Sequence, residues 1–141
     1  MKPTFRNPDK FQVLPIREYI RNHCPGPRAG LVVEDLDLVP LIYGPLVGRH
    51  RNADGKFMLV EVKHPGFGLG YAQKRVFALV DRLLRKGDPA GDFYIGFYIL
   101  NWDNNTNKPV ALNGYSCDEA MFQDWLTGRV EIAPHQFVGE G

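Results

Sequence analysis

The stretch that decides the fold is residues 57–64, which read FMLVEVKH. It is strongly apolar until its end, where Glu61 and Lys63 stand two positions apart. Because side chains alternate along a β-strand, the odd-numbered residues share one face with Glu61 and Lys63, and the even-numbered residues share the other. A charge pair at the end of a buried strand is costly unless a partner, a metal ion or water compensates it. We therefore interpret Glu61 and Lys63 first as functional residues of a site, and only second as solvated charges on the surface.

Bulk composition predicts a single globular domain over residues 1–141. The chain is 44% hydrophobic and 23% charged, with a net charge of +1, so any nucleic-acid surface must be local. Residues 1–10 are polar and proline-rich, so no secretory leader is expected, and no apolar run approaches the roughly 20 residues that span a membrane. The expected protein is soluble and intracellular, in the cytoplasm or the interior of a phage-infected host cell. Cys24 and Cys117 belong to no zinc-type cluster, and we expect reduced thiols with no disulfide partner.

Hydrophobic periodicity predicts the order α-β-β-α-β-(β)-α. The expected strands are 31–43, 57–64, 93–102 and 109–112, and the expected helices are 14–23, 71–86 and 118–126. The clearest helix is 71–86, with an apolar stripe formed by Ala72, Val76, Leu79, Val80 and Leu83. This order indicates an α/β fold in which helices flank a mixed β-sheet.

The strand before residues 57–64 supplies further carboxylates. Residues 33–39 read VEDLDLV, so Asp35 and Asp37 project to one face although strand interiors disfavour aspartate. If the two strands are adjacent, Asp37, Glu61 and Lys63 converge. Two carboxylates suit a hard divalent cation such as Mg²⁺, and a lysine suits the developing negative charge of a phosphoryl group. The pattern predicts phosphodiester hydrolysis.

These residues resemble the PD-(D/E)xK nuclease superfamily, whose core is restriction-endonuclease-like. The similarity lies in Asp37, in Glu61-Val62-Lys63 on the next strand, and in Gln73 on the following helix. It extends over roughly residues 14–101 and is greatest to replication-repair and resolvase-type nucleases. The resemblance implies a metal-dependent deoxyribonuclease. Of the two modes of cleavage, an endonuclease is expected in preference to an exonuclease.

Site roles follow from the resemblance. It implies that Asp37, Glu61 and the Val62 carbonyl bind Mg²⁺ or Mn²⁺. Lys63 would be the catalytic lysine, and Gln73 would support the site.

Two positions depart from the superfamily pattern. Leu36 stands where the name-giving proline precedes the aspartate. Many members also carry a glutamate on the first helix. Glu18 is the candidate here, although it lies opposite the apolar side of its helix and is otherwise a solvated surface residue. Asp35 or Glu34 is the alternative.

DNA is the expected partner, and the candidate contacts are basic. Lys74 and Arg75 lie on the helix beside Gln73, and Arg49 and Arg51 lie in the loop between the two strands of the site. A plain solvated surface is the alternative for each of them. A homodimer would fit paired cuts on two strands, but no residue marks an interface.

Two other functions remain open. One is a non-catalytic nucleic-acid-binding module of the same fold. The other is a phosphate-ligand-binding protein that uses the loop from Gly66 to Gly70, where a phosphate-binding turn would sit. Tyr71 stands where a dinucleotide fingerprint needs glycine, and no Walker lysine follows.

The aromatic residues of 93–102 are interpreted as core packing. Base stacking by Tyr94 or Trp102 is the alternative for this segment.

Overall fold

The computed structural model describes residues 36–42 and 55–137, together with Tyr19, Asn22 and His23. The chain divides into two compact units, Met1–Val33 and Glu34–Gly141. In the first, the described residues are helical, within the predicted helix 14–23, and the rest of that helix lies outside the described residues. The single domain over residues 1–141 stays a prediction. Everything below concerns the second unit.

One mixed β-sheet organises this unit, with its strands in the order β1-β2-β3-β4-β5. The strands are β1 (Leu41–Ile42), β2 (Lys56–Lys63), β3 (Tyr94–Asp103), β4 (Lys108–Leu112) and β5 (Tyr115–Ser116). The helices are α1 (Tyr71–Gly87) and α2 (Glu119–Leu126). Only β2 and β3 are parallel, and α1 is the crossover between them. The α/β class and the mixed sheet with helices are confirmed.

The two faces of β2 enter two different hydrophobic cores. Leu59 packs in a cluster with Phe77 of α1, whereas Met58 and Val60 pack in a cluster with Trp125 of α2. The sheet therefore lies between the two helices, and the predicted alternation of β2 is confirmed. In the part of the chain that the structure describes, no helix is long and apolar enough to cross a membrane.

The face of helix α1 that packs against the sheet differs from the predicted apolar stripe. Its buried side chains are Phe77, Ala78 and Asp81, while Leu79 and Leu83 are 44% and 57% exposed. The predicted stripe was wrong at both leucines, and Val80 is exposed as well.

The reason for this rotation is a buried aspartate. Asp81 accepts a hydrogen bond from the Tyr94 hydroxyl at 2.6 Å and forms an ion pair with Arg85 at 3.0 Å. With both partners in place, a carboxylate is stable inside the protein, and an apolar pattern cannot anticipate it. Burial and the hydrogen bond to Asp81 raise the pKa of Tyr94 well above its usual value.

The predicted strand 31–43 is only partly described. Residues 36–42 hold a single bridge, between Leu38 and Val60, and the two-residue β1. Pro40 separates the bridge at Leu38 from β1, because proline has no N–H to donate to the neighbouring strand. Its carbonyl still accepts a hydrogen bond from the Met58 N–H at 3.2 Å. Residues 31–35 and 43 lie outside the described residues.

The other predicted elements are found within one or two residues of their expected bounds. Asp118 caps α2, since its side chain accepts from the Met121 N–H at 2.8 Å. Cys117 is a buried free thiol, and burial raises its pKa. Cys24 lies outside the described residues.

A C-terminal segment, residues 131–137, covers the part of β3 that β4 leaves open. Strand β4 pairs with β3 only from Leu100 onward. Upstream of that point, the His135 N–H donates to the Phe97 carbonyl at 2.7 Å, and the Tyr98 hydroxyl donates to the Ile132 carbonyl at 2.6 Å. Local sequence signals for this segment are weak, yet it forms a backbone hydrogen bond to β3.

Candidate functional site

The strand register brings the two predicted carboxylates to one place. Leu38 and Val60 form an antiparallel bridge, so one further step along the same register sets Asp37 against Glu61. The Cβ atoms of directly opposed residues lie about 4.5–5.5 Å apart on one face of a sheet. The predicted approach of Asp37 to Glu61 follows from this register.

Asp37 is fixed to the neighbouring strand by its carboxylate. Its Oδ2 atom accepts a hydrogen bond from the Val62 N–H at 2.9 Å. Val60 exchanges two backbone hydrogen bonds with Leu38, so the N–H and carbonyl of Val62, two residues on, face the same side. The Val62 carbonyl is therefore directed to the strand edge that carries Asp37.

Glu61 is a buried carboxylate, with 3% of its surface exposed. Its Oε2 atom accepts a long hydrogen bond of 3.4 Å from the Gln73 amide nitrogen. Glu61 lies on the face of β2 that packs against α1, because it alternates with Val60 on the opposite face. Burial of an acidic side chain at the end of a strand needs compensation, and Gln73 supplies part of it.

Lys63 and Gln73 form the second half of the site. The Lys63 ammonium donates to Gln73 Oε1 at 2.8 Å, and the Gly70 N–H donates to the same oxygen at 3.2 Å. Gln73 is the third residue of α1 and reaches back to its N-cap, Gly70, as in a capping box. One amide therefore connects the helix start, the lysine and the buried carboxylate.

The acceptors at this point suit one hard divalent cation. Asp37, Glu61 and the Val62 carbonyl offer only oxygen, and Mg²⁺ is commonly bound through one or two carboxylates while it keeps several waters. Among the described residues, no group of three His, Cys, Asp or Glu side chains could hold a metal ion. The metal site stays a prediction. Asp35 and Glu18, the two additional acidic candidates, lie outside the described residues.

The loop after β2 is held by a residue that sequence reasoning missed. The Asn101 side chain, 8% exposed, donates to the His64 carbonyl at 2.8 Å and to the Phe67 carbonyl at 2.9 Å. Asn101 pairs with Lys63 in the parallel register of β2 and β3. An amide inside an otherwise aromatic and aliphatic strand was the signal that could have identified it.

The site lies at the carboxyl ends of β2 and β3, where α/β sheets commonly bind ligands. Lys74 and Arg75 are exposed on the first turns of α1, next to Gln73 in the chain. The Arg75 guanidinium lies 5.9 Å from the centre of the Tyr71 ring. Arg49 and Arg51 fall outside the described residues.

The glycine loop is already engaged by the protein. The Phe67 N–H donates to the His64 carbonyl at 3.1 Å, and the Gly70 N–H donates to Gln73. Amides bound in this way are less available to a phosphate, which weakens the phosphate-loop alternative.

The structure excludes base stacking for Tyr94 and leaves it open for Trp102. Tyr94 is 5% exposed and engaged with Asp81, so it has no face for a base. Trp102 is half-buried and borders a pocket beside Lys63.

Comparison with protein-family models, with curated proteins and with solved structures gave no match. What this site does must therefore follow from its own chemistry.

Proposed function

We propose that this protein is a metal-dependent nuclease with a restriction-endonuclease-like core that hydrolyses phosphodiester bonds in DNA. The observation that supports the proposal is that Gln73 joins Lys63 to Glu61 at the end of β2, where the Asp37 carboxylate binds the Val62 N–H. A structural ion pair at a strand end would use Glu61 and Lys63. It would not require a second carboxylate in register, nor an amide that joins the lysine to the glutamate.

Asp37, Glu61 and the Val62 carbonyl would hold Mg²⁺ or Mn²⁺. Such an ion, when bound, polarises a phosphoryl oxygen and makes a coordinated water a stronger nucleophile. Glu61 brings its charge from a buried position, where an electrostatic interaction is stronger than in bulk water.

Lys63 acts on the reacting phosphate as a positioned point charge. Its ammonium can stabilise negative charge on phosphate oxygens or orient the attacking water. The hydrogen bond to Gln73 limits the positions that this flexible side chain adopts. Less reorganisation is then needed when the substrate arrives.

The surroundings of the site support DNA as the substrate and cleavage at phosphodiester bonds within the strand. Asp37 and residues 64–68 are exposed, so the site opens to the surface and does not require a chain end. Lys74 and Arg75 lie on the exposed side of α1 beside it, where they would contact the phosphate backbone. A homodimer would add a second site for the second strand.

The test is nicking of supercoiled plasmid with Mg²⁺ or Mn²⁺, by wild-type protein and by Lys63→Ala. Lys63→Ala is expected to lose about 100- to 1,000-fold in cleavage rate, as when one transition-state donor is removed, and to keep most of its DNA affinity. Lys86→Ala is the matched control, because Lys86 is exposed in the last turn of α1, at the opposite end of the helix from Gln73.

Three outcomes would overturn the proposal. Wild-type protein that binds DNA but cuts none of it with any divalent ion would point to a binding module of this fold. A Lys63→Ala variant that cuts at the wild-type rate would remove the site from the reaction. Thermal protection by a nucleotide without cleavage would favour the phosphate-ligand alternative.

A further inference from the structure

A pocket of about 390 Å³ lies next to Lys63, at the carboxyl ends of β2 and β3. Phe67, Trp102, His64 and Asn104 are among the residues that line it. The volume is within the range of small-ligand sites. Lys63 belongs to this pocket and to the candidate active site, so the two are continuous.

We propose that this pocket binds one unpaired nucleobase of the DNA whose phosphodiester bond is cut, which makes single-stranded or frayed DNA the preferred substrate. This inference rests on the proposed function. It adds the kind of DNA on which the site acts.

Trp102 provides a fixed aromatic wall. Its indole N–H donates to Asn107 Oδ1 at 3.2 Å, and its ring meets the Phe122 ring edge-on at a centroid distance of 5.4 Å. These contacts hold the ring in one orientation while the residue stays partly exposed to the pocket. A preorganised aromatic face loses little conformational entropy when a base stacks on it.

Phe67 is a second aromatic residue of the lining, and 68% of its surface is exposed. Its backbone does not move freely, because Asn101 binds its carbonyl and its own N–H donates to His64. The protein therefore presents a large apolar side chain to solvent from an anchored loop. An exposed aromatic held in place beside a reactive site is typical of a contact surface.

The chemistry of the walls favours a base over a purely apolar ligand. None of the described lining residues is acidic, and Lys63, which is basic, is among them. The Asn104 amide can donate to and accept from a base edge. A base in an intact duplex has both faces covered by its neighbours, so only an unpaired base has a face free to stack on Trp102 or Phe67.

Binding in EDTA tests the pocket without any cleavage. The probes are a labelled oligothymidylate, an oligomer of the same length built of abasic residues, and a blunt duplex. Wild-type protein should bind oligothymidylate about 5- to 150-fold more tightly than the abasic chain, the range for one stacked base. Phe67→Ala should remove most of that difference and leave duplex binding unchanged.

Two further variants complete the binding test. Trp102→Phe keeps an aromatic face and should retain part of the preference, which separates stacking from a folding defect in Trp102→Ala. Phe93→Ala is the control, because Phe93 is also an exposed aromatic, 46% exposed, but precedes β3 at the other end of the sheet.

The outcomes distinguish this inference from the nuclease proposal. Equal affinity for oligothymidylate and the abasic chain, or a preference that survives Phe67→Ala, would overturn the inference even if the protein cuts DNA. A base preference that depends on Phe67, in a protein that never cuts, would support the pocket and overturn the nuclease. If the protein cuts, a frayed duplex should be cut faster than a blunt one, and Phe67→Ala should abolish that advantage.

Discussion

The Lys63 ammonium and the Gln73 amide oxygen are joined by a hydrogen bond of 2.8 Å. The nitrogen of the same amide donates to Glu61. A glutamine at the start of α1 therefore orients a basic and an acidic group that come from β2. The first turn of a helix is a rigid platform, so the relative position of the two charged groups is set by the fold.

Replacing this glutamine should slow catalysis without preventing DNA binding. In Gln73→Ala, Lys63 and Glu61 lose their shared partner, and the cleavage rate should fall about 10- to 100-fold, the usual effect of losing a residue that orients active groups. Single-turnover cleavage measures the effect, with Gln123→Ala on α2 as the control. An unchanged rate in Gln73→Ala would show that the amide only caps the helix.

The two functions of Asp37 can be separated by substitution. Asp37→Asn keeps an oxygen that can accept from the Val62 N–H but removes the charge needed for a cation. Its stability to urea should stay within about 0.5 kcal/mol of wild type while cleavage is lost. Asp37→Ala removes the hydrogen bond as well and should cost about 0.5–1.5 kcal/mol. Normal cleavage by Asp37→Asn would contradict the metal-binding role.

Asn101 should matter for stability and for the loop beside the site. Asn101→Ala leaves the His64 and Phe67 carbonyls without their donor, and the unfolding free energy should fall by about 1–3 kcal/mol. Faster amide hydrogen exchange confined to residues 64–70 would report the released loop. Asn105→Ala, on an exposed turn, is the control. A variant with wild-type stability and exchange would exclude this anchoring role.

Asp88 makes stability depend on acidic pH. Its carboxylate accepts from the N–H groups of Tyr94, Phe93 and Asp92 at 2.8–2.9 Å, and these bonds lower its pKa below the usual 3.8. Because the folded pKa is the lower one, the contribution is present above about pH 3.8 and is lost as the pH falls through the folded value. Asp88→Asn should melt below wild type at neutral pH, and the difference should shrink on acidification. A difference that is constant with pH would contradict this.

Gly96 is required where the C-terminal segment crosses β3. Its φ is +152°, and a Cβ there would collide with the side chain of Pro134. Gly96→Ala should therefore destabilise the fold by about 1–3 kcal/mol, as overpacking does. Gly87→Ala is the control, since no atom lies near its Cβ position and alanine favours a helix there. Equal melting temperatures for the two variants would disprove the close packing.

Local patterns predicted much of the site. Glu61 and Lys63 share a face by alternation within one strand, and Gln73 was suggested by the resemblance to the nuclease superfamily. The approach of Asp37 to Glu61 was predicted because sequential strands commonly pair, and the bridge between Leu38 and Val60 agrees with that pairing.

The missed features all depend on partners that are distant in sequence. The burial of Asp81 needs the Tyr94 hydroxyl, and the role of Asn101 needs a loop 34–37 residues earlier. Residues 131–137 contact β3 upstream of the point where its pairing with β4 begins. Periodicity within one segment contains no information on any of these.

The backbone contact between His135 and Phe97 also bears on how shortened versions of the protein would behave. Removing residues after 130 would expose a bare rim of carbonyl and amide groups on β3, which is the feature that recruits strands from other molecules. Aggregation of such a shortened protein would then reflect the loss of residues 131–137 from the edge of β3. It would not be evidence for a native dimer.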